Sequence, residues 1–435
     1  MPESAGQQTS DLYIGIDFGT TGVRAIAIDR DAQIQAQAVT ELPVAPRVGA
    51  CHEQDPRVWW QALESLLDAL LREIDRTQVA ALAVDGTSAT LLLTNATGEP
   101  LGPALLYDDA RASDEAACIA SIAPLGSAAR APTSSLAKLL YLLAQPGSRS
   151  ARHALHQADW IAGRLLGRYT HSDENNCLKL GYDPVARVWP EWLKALGVDP
   201  ALLPWPTAPG LTIGLLSEPM TQRFGLSQQV RVVAGTTDST AAFIATGALH
   251  SGEAVTSLGS TLVLKVLASE PVFAPEYGVY SQRLGDRWLV GGASNTGGAV
   301  LRRYFTPEQL AALTAQLHPE TPTNLDYYPL TGVGERFPSN DQNLRPRLTP
   351  RPDDDVQYFQ GMLEGIARIE QRGYQLLQHL GAPYPTSVRS AGGGAANQAW
   401  TKIRAGMLGV PMLTPAHTEA AYGAALLALQ GCRAR

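Results

Sequence analysis

Cysteine is scarce in this chain, with four among 435 residues. Cys51, Cys118, Cys177 and Cys432 never fall in a C-x-x-C spacing, and nothing near Cys51-His52 completes a tetrahedral set. Neither a disulfide framework nor a structural metal is therefore expected, and a reducing cytoplasm suits such usage. Charge is thin as well: 17% of residues are charged, below the usual quarter or so. The net charge of -7 leaves no basic footprint for nucleic acid or for an anionic membrane. No apolar run reaches the roughly eighteen residues of a membrane span. The opening MPESAGQQTS has neither a basic stretch nor an apolar core, so residues 1–10 read as a short flexible tail rather than a secretory signal. Two nucleotide motifs are also missing. There is no G-x-x-x-x-G-K-[ST] loop, and no G-x-G-x-x-G follows a strand in a βαβ unit.

What is present is 45% hydrophobic sequence, enough to build two or three globular cores. YIGIDFGTTGVRAIAI, residues 13–28, alternates like a strand, reaches Asp17, turns through Gly19-Thr20-Thr21-Gly22 and resumes as a strand. A third strand runs to Thr40. An amphipathic helix is expected from Pro56 to Arg76, then a buried strand VAALAV ending at Asp85-Gly86-Thr87-Ser88. Residues 111–208 read as mainly helical. VRVVAG (residues 230–235) is a strand that ends at Thr236-Thr237-Asp238, with a helix expected from Ser239 to Leu249. EAVTSLGSTLVLKVL (residues 253–267) then repeats the opening: Gly259-Ser260-Thr261 answers Gly19-Thr20-Thr21. A repeat more than half a chain away suggests a duplicated domain with two facing lobes. A glycine cluster, Gly392-Gly393-Gly394, opens a later helix, and EAAYGAALLALQG closes the chain as a helix of small residues.

Glycines allow the backbone to approach a ligand, consecutive N–H groups can cradle an anion, and threonine hydroxyls add donors. An acid beside such a nest would repel a phosphate unless Mg²⁺ sat between them, so Asp17 reads as a metal holder beside a phosphate hairpin. The alternative is an ordinary turn capped by Asp17. Asp238 ends a buried strand and begins a helix, which makes it either a helix cap or a carboxylate that orients a substrate hydroxyl. Strand ends of this kind are where α/β sheets place ligands. Gly392-Gly393-Gly394 allows either phosphate binding or a close helix–strand crossing. Tyr107-Asp108-Asp109-Ala110-Arg111 is either a surface charge patch or a polyol-holding set.

Taken together these segments resemble the FGGY carbohydrate kinases of the actin–hexokinase–heat-shock ATPase superfamily, almost end to end. The resemblance is carried by IDFGTTGVRAIAID, by YDDARA in the place of W-x-D-x-R, and by DWIAGRLLGRY. It continues through VVAGTTDSTAAFIATG, SLGST, GERFP, GGGAANQAW and EAAYGAALLA. It implies an α/β fold of two RNase H-like (actin/hexokinase-type) ATPase lobes around a central cleft, residues 11–247 on the sugar and phosphate side and 248–435 on the adenosine side. It implies ATP and Mg²⁺, with Asp17 at the metal and Gly19, Thr20 and Thr21 at the terminal phosphate. Asp238 would be the catalytic base and Gly259, Ser260 and Thr261 the second phosphate hairpin. Gly393, Gly394, Asn397 and Trp400 would form the adenosine site, with Trp400 offering an apolar face near the base.

Departures from the common pattern bear on the sugar. Gly86-Thr87-Ser88-Ala89 stands where many bacterial xylulokinases carry Met-His-Gly, and Tyr107 stands for the usual tryptophan. These features resemble a small subgroup of cyanobacterial and plant plastid kinases acting on D-ribulose, in which equivalents of Asp17, Thr20, Ser88 and Asp238 hold the ketose. The resemblance thus implies a D-ribulose kinase, with D-xylulose or another polyol as alternatives and a non-catalytic sugar or nucleotide sensor as the alternative class. The expected partners are a small sugar and ATP, with no nucleic acid or membrane, in a monomer or homodimer.

Overall fold

A computed structural model describes residues 11–433, so the tail expected at residues 1–10 lies outside the described residues. Two compact units emerge. One runs up to Ala245 and is rejoined from Glu419 onward; the other is Thr246–Thr418.

The first unit is built on a six-stranded sheet in the order Thr212–Leu215, Arg231–Val233, Val79–Gly86, Leu12–Phe18, Gly22–Ile28, Ile34–Glu41. The opening hairpin pairs antiparallel, with Asp17 opposite Arg24 and Phe18 opposite Val23. Leu12–Phe18 also runs parallel to Val79–Gly86, which sets Asp17 beside Asp85. Strands covered on both faces need little alternation, and Leu12–Phe18 is buried at every residue.

The helix Pro56–Leu70 lays Trp59, Leu63, Leu66, Leu67 and Leu70 into this core. Trp59 meets Trp160 edge to face at 6.2 Å. Asp55 caps its start by accepting from the Arg57 amide at 3.0 Å. It ends six residues before the expected Arg76, for a local reason. Asp75 accepts from the Thr77 amide and caps a separate turn. Arg76 folds back to donate to the carbonyls of Leu71 and Phe224. The stretch expected to be mainly helical does contain helices, at Ser113–Ile122, Ser135–Leu143 and Gln157–Leu166. It also contains the strand His153–His156, which joins a second, five-stranded sheet.

The second unit repeats the arrangement. Its sheet runs Tyr280–Leu284, Arg287–Ser294, Leu262–Ala268, Glu253–Leu258, Ser387–Ala391, Met412–Leu413. Glu253–Leu258 again pairs antiparallel with its hairpin partner and parallel with a later strand. The long helix Asp355–His379 buries Phe359, Met362, Leu363 and Ile366 against this sheet. No helix among the described residues is long and apolar enough to cross a membrane.

The closing helix, Ala420–Arg433, belongs with the first unit although the chain reaches it last. Its small residues are required by close approach. A Cβ on Gly15 would lie 2.0 Å from the Ala421 carbonyl oxygen, and one on Gly423 would lie 1.9 Å from that of Ala241. Both obstacles are backbone and cannot rotate away. Gly423→Ala is therefore expected to lower the unfolding free energy by about 1–3 kcal/mol, the usual cost of overpacking. Urea denaturation checks this, and an unchanged midpoint would mean that the helix shifts without loss.

Candidate active site

Three acids converge at the carboxyl ends of neighbouring strands in the first unit. Asp17 and Asp85 are register partners on parallel strands. Gly86 bridges to Thr237 on the next segment, one residue before Asp238. That close approach depends on Gly235, whose Cβ would lie 1.8 Å from the Val84 carbonyl oxygen. Asp238 opens the helix Asp238–Ala245 and accepts from the Ser239 amide at 2.6 Å.

Burial dominates the electrostatics here. The Asp17 carboxyl is pushed up to about 6, first by desolvation, with the charge of Asp238 adding to it. A hydrogen bond with Asp85, and Arg24 with its Nη1 3.9 Å away, pull the other way. Asp85 is fully buried and its carboxyl is also pushed well above the ordinary carboxylate range, again by desolvation first and then by Asp17. Neither Asp85 oxygen meets a protein donor among the described residues.

Among the described residues no three His, Cys, Asp or Glu side chains converge closely enough to hold a metal directly. Magnesium is commonly held by one or two carboxylates and otherwise keeps its waters. Asp17 and the donor-less oxygens of Asp85 fit that requirement.

The sign of the resulting pH dependence follows from the direction of the shift. A carboxyl raised above its unfolded value keeps its proton in the folded state while the unfolded chain releases it. The stability it contributes is full below about pH 4 and is lost as the pH rises to about 6. Asp17→Asn is expected to flatten this fall and to raise stability at pH 7 by on the order of 2 kcal/mol. Urea denaturation of both proteins at several pH values checks it, and parallel curves would exclude Asp17 as the source.

The hairpin beside these acids spans residues 19–21. Gly19 is half-buried, while Thr20 and Thr21 are exposed. The second hairpin, residues 259–261, has the same pattern: Gly259 half-buried, Ser260 and Thr261 exposed. It is pinned by the Gly298 amide donating to the Gly259 carbonyl at 2.8 Å and by Arg302 donating to Ser260 Oγ at 2.8 Å. Alongside it, within the second unit, is a cavity of about 760 Å³. Gly259, Ser260, Gly393, Gly394, Asn397 and Trp400 all line it, and Thr261 is not among the lining residues.

Gly393 begins a short 3₁₀ turn, and Asn397 caps the helix Gln398–Leu408 by accepting from the Trp400 amide at 2.9 Å. Gly394 has no room for a side chain, since its Cβ would lie 2.6 Å from Trp400 Cζ3. Trp400 is itself 2% exposed and donates its indole N–H to the Leu363 carbonyl. It forms part of the cavity floor and presents little open ring face.

Ser88 sits partly exposed on the turn after Asp85. The Tyr107–Arg111 segment resolves into separate roles. Asp109 is fully buried and accepts from the His52 amide and from Arg111, whose guanidinium also reaches Glu53. That pair is a structural clamp. Asp108 bonds His52 Nδ1 at 2.7 Å and also Arg47, and Tyr107 is 42% exposed.

Two residues escaped the sequence reading. Asp85 appeared there only as the start of a hydroxyl-bearing turn, yet IGID and LAVD are the same apolar run ending in an acid. Arg302 left no signal, because its position depends on a distant hairpin.

Relatives carry the same architecture. The pattern of the FGGY family of carbohydrate kinases, N-terminal domain, matches residues 12–245, and that of the C-terminal domain matches residues 254–432. The xylulose kinase of Escherichia coli (strain K12) is 26% identical over 436 residues, spanning 96% of this chain and 89% of that protein. The xylulose kinase of Bacillus subtilis (strain 168) is 24% identical over 447 residues, spanning 96% and 88%. Among solved structures, a xyloylose kinase from Brucella ovis superposes with a TM-score of 0.88 at 27% identity, covering 98% of this chain and 91% of that one. A ligand-bound xylulose kinase from Lactobacillus acidophilus, at 20% identity, shares the fold with a TM-score of 0.86, covering 98% and 90%. With its two family domains matched nearly end to end, this chain belongs to the FGGY family of carbohydrate kinases.

Proposed function

We propose that this protein transfers the terminal phosphoryl group of ATP to a hydroxyl of a pentulose, with D-ribulose as the first candidate. The observation that carries this reading is the set of three acids, Asp17, Asp85 and Asp238, gathered beside a Gly-Thr-Thr hairpin. A water-filled turn would have no use for two desolvated carboxyls.

In this reading Asp17, Thr20, Ser88 and Asp238 hold the sugar. Asp238 accepts the proton of the attacking hydroxyl, a role suited to a loose transition state in which that proton leaves late. Gly19, Thr20 and Thr21 offer backbone and hydroxyl donors to the phosphate. Within the second unit, Gly259, Ser260 and Thr261 form a second hairpin of the same chemistry, and Gly393, Gly394, Asn397 and the floor at Trp400 receive the adenosine. Arg302, held at Ser260, adds a cation to that cavity. Mg²⁺ bound at Asp17 would neutralise phosphate charge during transfer.

D-Ribulose is favoured by Ser88 and by the absence of an imidazole in the turn after Asp85. D-Xylulose is the second reading, favoured by relatives named xylulose kinase. ADP release from MgATP, measured with D-ribulose, D-xylulose, L-ribulose, ribitol, glycerol and no sugar, separates the two. Strong stimulation by one ketopentose names the substrate. A panel with no stimulation removes the kinase reading for these sugars and leaves a sugar or nucleotide sensor.

A further inference from the structure

Lys138 is fully buried, and no carboxylate pairs with it among its hydrogen-bond partners. Its ammonium donates instead to three backbone carbonyls: Ala89 at 2.8 Å, Leu106 at 2.6 Å and Tyr107 at 3.2 Å. These lie on two separate segments. Ala89 follows Ser88 in the turn after Asp85, while Leu106 and Tyr107 precede Asp108.

The position is a costly one for a lysine. A buried cation without a counter-ion is heavily penalised. Lys138 also lies in the first turns of the helix Ser135–Leu143, whose amino end repels positive charge. A leucine or methionine would fill the space without either penalty, but would take this donor from the Ala89 and Tyr107 carbonyls, while the Leu106 carbonyl would keep the Asp109 amide.

The Ala89 turn is itself unusual. Ala89 adopts φ +69°, a left-handed conformation that disfavours any residue with a Cβ. Thr87 is tied from another side, its amide and hydroxyl both donating to Gln157 Oε1 at 3.1 and 3.0 Å. A strained turn persists where its surroundings over-determine it, and Lys138 supplies the hold that also reaches the second segment.

We propose that Lys138 is a positioning residue of the sugar site, whose ammonium fixes the Ser88 turn against the Tyr107 segment. This rests on the sugar reading above. The charged groups that face Lys138 are Lys179, which disfavours its proton, and Asp109 and Asp108, which favour it; burial is the largest influence, and together they bring its pKa down to about 7. The hold therefore weakens as the pH rises through neutrality.

The test uses full-length Lys138→Met and Lys138→Arg. In Lys138→Met the KM for the accepted ketose is expected to rise about tenfold or more, with kcat and the KM for ATP within about threefold of wild type. Wild-type ketose KM should climb between about pH 6 and about pH 8, and this climb should vanish in both variants, since arginine does not titrate there. A folded Lys138→Met with unchanged ketose KM and an unchanged pH profile overturns the proposal. If the methionine variant does not fold, Lys138→Arg decides: a pH profile like that of wild type overturns it. If wild type accepts no sugar, the functional reading has failed, and the clamp is then read by hydrogen exchange. Exchange at the Thr90 amide, which bonds the Thr87 carbonyl, should quicken about tenfold or more in Lys138→Met. Unchanged exchange would overturn the clamp itself.

Discussion

Asp238→Asn is expected to slow sugar-dependent ADP release by about 10²–10⁴-fold, the range that general acid–base groups contribute. Asparagine suits this test because it is nearly isosteric and as good a helix-start residue as aspartate. The bond from the Ser239 amide, 2.6 Å long in the parent, can be kept by the amide oxygen. Melting temperature should thus stay close to wild type and nucleotide affinity should be unchanged, leaving the loss of a proton acceptor as the difference. Turnover, thermal unfolding and ATP binding measured on one preparation check all three. A loss of less than about tenfold would leave Asp238 with a structural role at the helix end and no more.

The second large effect is expected in the core of the second unit. Arg404 and Glu370 are both fully buried, and the guanidinium binds both carboxylate oxygens, at 2.6 and 2.7 Å. Glu370 also accepts from Thr256 Oγ1 at 2.5 Å, and Arg404 donates to Ser390 Oγ at 2.6 Å. Thr256 lies on the strand leading to Gly259, and Ser390 on the strand leading to Gly392. One ion pair therefore braces the roots of both segments proposed to hold the nucleotide.

Removing one partner strands the other charge without solvent. Arg404→Met is expected to cost about 3–5 kcal/mol, and adding Glu370→Leu should return much of that, because a well-packed apolar pair is often as stable as the ions it replaces. A double-mutant cycle in urea gives the coupling directly. A single-mutant cost below about 1 kcal/mol would mean that water reaches the pair.

The sequence disclosed those parts of the site that depend on local chemistry. The two glycine-hydroxyl hairpins, the strand-to-helix junction at Asp238 and the turn at Gly393 are each written in a few consecutive residues, and their backbone forms follow from those residues. What it hid depends on pairing between distant segments. Asp85 matters because a parallel register sets it beside Asp17. Lys138 sits within SLAKLLYLL, where its side chain would be expected to reach solvent, and only the packed turn reveals its three acceptors. Trp400 looked available to a ligand, yet its indole is largely committed to the core. The helix begun at Pro56 stopped early because Asp75 offered a competing cap.

The return of the Ala420–Arg433 helix to the first unit sets an order on biosynthesis. From Ala245 to Ala420 the ribosome must add 175 residues (420 less 245). At about 5–20 residues per second that takes roughly 9–35 s. Throughout that interval the Gly15 face of the first-made strand has no cover, while the unit Thr246–Thr418 emerges whole. The later unit can therefore finish folding before the earlier one. A nascent chain halted before Glu419 would expose an apolar sheet face of the kind that chaperones bind.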